Sequence, residues 1–167
     1  MKYLLLVCIW LFCLPSQAKT LLSAADFLAQ HNMQHAEVNT LWLSAEQQKQ
    51  VAGILSHAYA GIRIRYWQQD GRRVFILNEV GKELPITFGL LVQGTQLLAV
   101  QVLEFRESRG DEIKSDGFRA QFAGIALNTE GELNRQVDGI SGATYSVRAM
   151  QKIVKLALYL QQQLEKS

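Results

Sequence analysis

Seven consecutive residues, Asp138-Gly-Ile-Ser-Gly-Ala-Thr144, bring together the groups in this sequence best suited to chemistry. Gly142 permits backbone torsions and a close ligand approach that other residues resist, and Ala143 adds little bulk. An amphipathic run follows, with Val147, Met150, Val154, Ala157, Leu158 and Leu164 on one broad face, which predicts a helix from about Ser146 to Leu164. The unpaired N–H groups of its first turn point back at the glycine loop, and the helix dipole adds positive potential there. That combination is an anion site, suited to a phosphate-bearing ligand. A plainer use of the same residues is capping of the helix by Ser141 or Thr144. Asp138-Gly139 is likewise a common turn signal.

Other reactive side chains form no comparable group. His31, His35 and His57 have no carboxylate or cysteine partner at ligand spacing, so surface or helix positions are expected for them and no metal site is assigned. Asp111-Glu112 is too closely spaced for opposed acid and base, and a solvent-facing loop pair is expected. Trp42, Tyr66, Trp67, Phe118 and Phe122 could stack on a planar ring, but aromatics at strand spacing more often fill a core. Arg72-Arg73 flanks a turn signal and reads as a solvated edge. No catalytic residue is assigned.

The N-terminus bounds what redox chemistry the chain can do. Lys2, the apolar run Tyr3 to Leu14, Pro15 and the small residues Ser16-Gln17-Ala18 read as a secretory signal, residues 1–18, with periplasmic localisation expected. An uncleaved membrane anchor is the alternative, although the run is shorter than the roughly 20 apolar residues of a bilayer span. Both cysteines, Cys8 and Cys13, lie in this segment. Beyond it the chain has no disulfide, thiolate nucleophile, cysteine-bound cluster or thioether-linked haem. The net charge of +2, with no basic stripe interleaved with aromatics, argues against a nucleic-acid partner.

The elements that must position the glycine loop are legible from periodicity. Ser23 with Asp26 caps a first helix to Gln30, and Ser44 with Gln47 forms a capping box for a helix from Ala45 to about Tyr59, so residues 19–60 read as an N-terminal helical segment. Asp70-Gly71 joins two strand-like runs, Arg63 to Trp67 and Val74 to Leu77, as a hairpin. Gln93-Gly94 joins two more, Ile86 to Val92 and Gln96 to Phe105. Arg106 to Gly117 reads as a long loop, often a functional feature, and Asn128-Thr-Glu-Gly131 as a later turn. The expected fold is α+β: a twisted, mainly antiparallel sheet packed by a long C-terminal helix and N-terminal helices.

The segment D-x-x-S-G-A-T at 138–144 resembles the flavinylation motif of the FMN-binding domains found in the sodium-translocating NADH:quinone reductase and in the Rnf electron-transport complex. Phe105-Arg-Glu-Ser-Arg-Gly110 and Phe118-Arg-Ala-Gln-Phe-Ala-Gly124 resemble the family's E-T-P-G loop and F-x-x-x-F-x-G element, with Ser108 in place of threonine and Arg109 in place of proline. The resemblance spans about Arg72 to Leu164 and implies an FMN-binding domain over 61–167. It implies FMN carried as a phosphoester on Thr144, with Asp138, Ser141, Gly142, Ala143, Glu107, Ser108 and Gly110 as cofactor-binding positions. It also implies a flavin transferase as modifying partner, and membrane or periplasmic redox partners such as haem proteins or quinone-linked complexes. The function implied is electron transfer. A flavin-dependent reductase domain and an unflavinylated binding module are the alternatives.

Overall fold

A computed structural model describes residues 19–166, and the expected signal segment lies outside them. Six strands form one sheet: β1 (Lys19–Thr20), β2 (Glu37–Trp42), β3 (Arg63–Gln69), β4 (Arg72–Val80), β5 (Pro85–Gln93) and β6 (Gln96–Phe105). Their spatial order is β1-β6-β5-β4-β3-β2, and every pairing is antiparallel. Four helices accompany the sheet: α1 (Ala24–Gln30), α2 (Ala45–Leu55), α3 (Asp116–Ala120) and α4 (Thr144–Glu165). The α+β expectation holds.

Local chemistry explains the connections. Asp70 and Gly71 both take positive φ, 51° and 72°, the conformation of the hairpin turn that matches strand twist. The capping box of α2 is closed in both directions by Ser44 and Gln47. That helix stops at Leu55, four residues short of expectation, because Ser56 turns into the left-handed region at φ 63°. His57 then leaves the helical path, with its ring bonded to the Ala58 carbonyl and the Glu79 carboxylate.

The stretch 19–60 is not helical throughout. It supplies both edge strands, and neither had a clear signal. β1 is two residues long, and β2, with the burial of a strand open on both faces, shows no clean alternation of apolar and polar residues. The expected loop 106–117 holds a 3₁₀ turn at Asp111–Lys114 and the start of α3, whose Ile113 and Phe118 are buried. Asn128 does form a turn, its side chain accepting from the N–H groups of Glu130 and Glu132.

The sheet is covered on both sides, so its central strand β5 is buried almost end to end. On one face α4 and α2 enclose Phe75, Phe88, Leu90, Met150, Ile153 and Leu156. On the other, α1 seals a smaller core of Phe27, Leu28, Met33, Val74, Leu91 and Leu103. Gly89 is the socket for Phe27: a Cβ there would lie 2.9 Å from the ring. Tyr66, Phe118 and Phe122 are core, as expected of them, whereas Trp42 is exposed on the edge strand.

Candidate functional site

The glycine loop begins where the chain is tied to α3. The Asp138 N–H donates to the Gln121 side chain at 2.8 Å, and Arg135 donates to the carbonyls of Gln121 and Ala123. Val137 is buried beside them, while the Asp138 carboxylate is exposed. The chain then turns through Ser141 and Gly142, Gly142 at φ 85°, with the Ala143 N–H donating to the Ile140 carbonyl. Helix α4 starts at Thr144, two residues earlier than expected.

The capping alternative does not hold. The N-cap position is Ala143, which has no side chain to serve, and no side chain caps α4. Thr144 is exposed, with its hydroxyl uncommitted among the described residues, and the first-turn amides have no intrahelical acceptor.

A groove of about 510 Å³ lies beside this helix start. One wall is Gly142, Ala143, Tyr145 and Ser146; another is Glu107 to Gly110; the third is the β4–β5 turn at Lys82 and Glu83. Tight local packing holds the walls together. Gly110, at φ 88°, lies against the first turn of α4, and a Cβ there would sit 2.4 Å from the Ser146 hydroxyl oxygen. Glu107 accepts from the backbone N–H groups of Glu83 at 2.6 Å and Leu84 at 2.9 Å. Burial pushes its carboxyl up, but the amides of Leu84, Glu83 and Lys82 and the Lys82 charge outweigh this and hold it below the usual range. Arg106 fixes the start of the loop by donating to the Pro85 carbonyl and the Thr87 hydroxyl, each at 3.0 Å.

Of the eight cofactor-binding positions read from the sequence, Glu107, Ser108, Gly110, Gly142 and Ala143 line this groove. Asp138, Ser141 and Thr144 lie outside its lining, Thr144 on the helix start at its edge. Glu107 is occupied as a clamp on the β4–β5 turn. Lys82, Glu83, Tyr145 and Ser146 had no signal of their own, since only the fold brings the turn at 82–83 to residue 107.

Two further expectations change. His57 does have a carboxylate partner, Glu79, at 3.0 Å, and Lys152 approaches the same buried carboxylate at 3.4 Å. The pair is remote in sequence and joined only by the sheet. Arg72 donates to the His31 carbonyl and Arg73 pairs with Glu165, so neither is a free solvated edge.

The donor set suits a phosphorylated flavin. An uncapped helix start offers amides to a phosphate, Gly142 leaves open space where a Cβ would stand, and a groove with one exposed aromatic adjoins. Among the described residues no helix is long and apolar enough to cross a membrane.

Residues 81–159 match the family model of the FMN-binding domain. Among solved structures, NqrC of Shewanella oneidensis shares the fold, with a TM-score of 0.55 at 15% identity over 85% of this chain and 88% of that one. No curated protein matches the chain.

Proposed function

We propose that this chain, an FMN-binding domain over residues 81–159, carries its FMN as a phosphoester on Thr144 and acts as an exported electron carrier. The observation that carries the reading is an exposed, uncommitted threonine at the start of a 22-residue helix that has no side-chain cap. When bound, FMN supplies the electron chemistry, and the chain supplies placement and electrostatics.

The division of labour follows from the residues. Thr144 offers the oxygen that bonds to phosphorus. A threonine hydroxyl is a weak nucleophile at its ordinary pKa, so its activation falls to a flavin transferase that delivers the FMN. The amides of the first turn and the open backbone at Gly142 receive the phosphate. The loop Glu107 to Gly110, clamped onto the β4–β5 turn, and Tyr145 bound the adjoining groove. The acid and base paired in this lining, Lys82 and Glu83 at 3.1 Å, are both exposed on the β4–β5 turn, and an exposed surface pair suits a carrier better than a reductase. Partners of the haem-protein or quinone-linked kind follow from that role, as does an extracytoplasmic site for the read signal segment.

The test is the mass of the protein co-expressed with a flavin transferase, expected to rise by one FMN less water. Thr144→Ala should abolish the gain, and covalent flavin on the alanine variant would sink the assignment. Rapid mixing of the reduced protein with haem or quinone acceptors then checks the carrier role. Fast oxidation by one metabolite alone would favour the reductase.

A further inference from the structure

A second groove, of about 480 Å³, runs along α4 between the end of α2 and the coil at 132–137. Four cations line it: Arg135, Arg148, Lys152 and Lys155, with Glu132 as the lining carboxylate. Three of the four are engaged. Arg135 donates to the carbonyls of Gln121 and Ala123, Lys152 to the Leu55 carbonyl at 2.6 Å and to Glu79, and Lys155 pairs with Glu132 at 2.5 Å. Arg148 alone is exposed with neither hydrogen bond nor ion pair among the described residues.

Arg148 stands one helical turn beyond Thr144, so the two share a face of α4 with Cβ atoms about 5–6 Å apart. A guanidinium presents a planar fork of donors matched to phosphate oxygens. We propose that Arg148 holds the phosphoryl group on Thr144, drawing it toward the basic flank of α4; this rests on the reading that Thr144 carries FMN. A phosphodiester keeps one negative charge, and Arg148 is the cation on α4 within a turn of it, while the exposed Arg109 faces the first groove from the 107–110 loop. The exposed Asp138 carboxylate at the head of the loop is the nearest acidic residue in sequence, and it makes no bond to Arg148.

The experiment uses the flavinylated full chain and its Arg148→Gln and Arg148→Lys variants, with flavin located by peptide mass. Two readouts are followed at low and high salt: the phosphorus NMR resonance of the diester and the fluorescence anisotropy of the flavin. In the parent protein, salt should shift the resonance and lower the anisotropy, because it competes for an exposed ion pair. Arg148→Gln should start at the high-salt values and respond little; Arg148→Lys should recover part of the response. Loss of flavin in Arg148→Gln with recovery in Arg148→Lys also supports the role. A glutamine variant indistinguishable from the parent in both readouts overturns it, as does loss of flavin in both variants with circular dichroism unchanged. Flavin found on a residue other than Thr144 overturns the underlying reading as well.

Discussion

Gly110 shows how one residue can set the shape of the groove. Its φ of 88° is a conformation side chains rarely adopt, and the space where a Cβ would stand belongs to Ser146. Gly110→Ala should cost about 1–3 kcal/mol in denaturant unfolding and lower flavin occupancy, as the loop is levered off α4. Full occupancy at unchanged stability would show that the contact is dispensable. Glu107 makes a complementary prediction. Its carboxyl is held below the usual range, so its contribution is present above the reference value of 4.5 and is lost as pH falls through the lowered folded value. The stability gap between the parent and Glu107→Gln should therefore narrow on acidification below 4.5. A gap constant across that window would mean the charge on Glu107 is irrelevant to the turn it clamps. The residues of this site divide cleanly by legibility. Gly142 and Thr144 stand in one short motif, whereas the partnership of Glu107 with the turn at 83–84 joins positions 24 and 23 residues apart and exists only in the fold.

Elements were legible wherever one strong periodicity ruled. The hairpin at Asp70-Gly71 and the helix α4 have local signals that agree with their surroundings, so both were readable. β2 was not, because a strand at the sheet margin with little burial on either face leaves no alternation to read. α1 is readable as a helix, yet its purpose is not, since the sequence does not say that Gly89 is vacant for Phe27. That socket fixes how α1 closes the second face. Phe27→Ala should cost about 3–5 kcal/mol, measured by chemical unfolding, because a fully buried ring leaves a cavity in a small core. A loss below about 1 kcal/mol would mean that α1 slides to fill the space. Gly89→Val should be destabilising at the same contact, since its side chain would meet the Phe27 ring.

Across the whole molecule, three elements meet at one buried carboxylate. Glu79 on β4 receives His57 from beyond α2 and Lys152 from α4, while Lys152 also donates to the Leu55 carbonyl at the end of α2. The bond to the Ala58 carbonyl and then the bond to Glu79 raise the His57 pKa, against burial and the nearby Lys152 charge. The stability it contributes is thus complete below the reference value of 6.5 and disappears as pH rises through the raised folded value. Thermal melting of the parent and His57→Gln should differ in mildly acidic buffer and converge at alkaline pH. Because the ring is about half exposed, the difference should be small, and divergence at alkaline pH would contradict this account. The groove beside α4 has a further consequence, one of timing. Its walls come from residues 82–83, 107–110 and 142–146, so they leave the ribosome in that order, and Thr144, the proposed acceptor, emerges with the final wall. Helix α4 is held in place by burying its apolar face on β4, β5 and β6, which cannot happen until most of its length has been made. On the proposed reading of Thr144, a modifying enzyme that recognises it in its folded setting would meet chains whose sheet is already assembled, and attached flavin would mark a molecule that has finished folding.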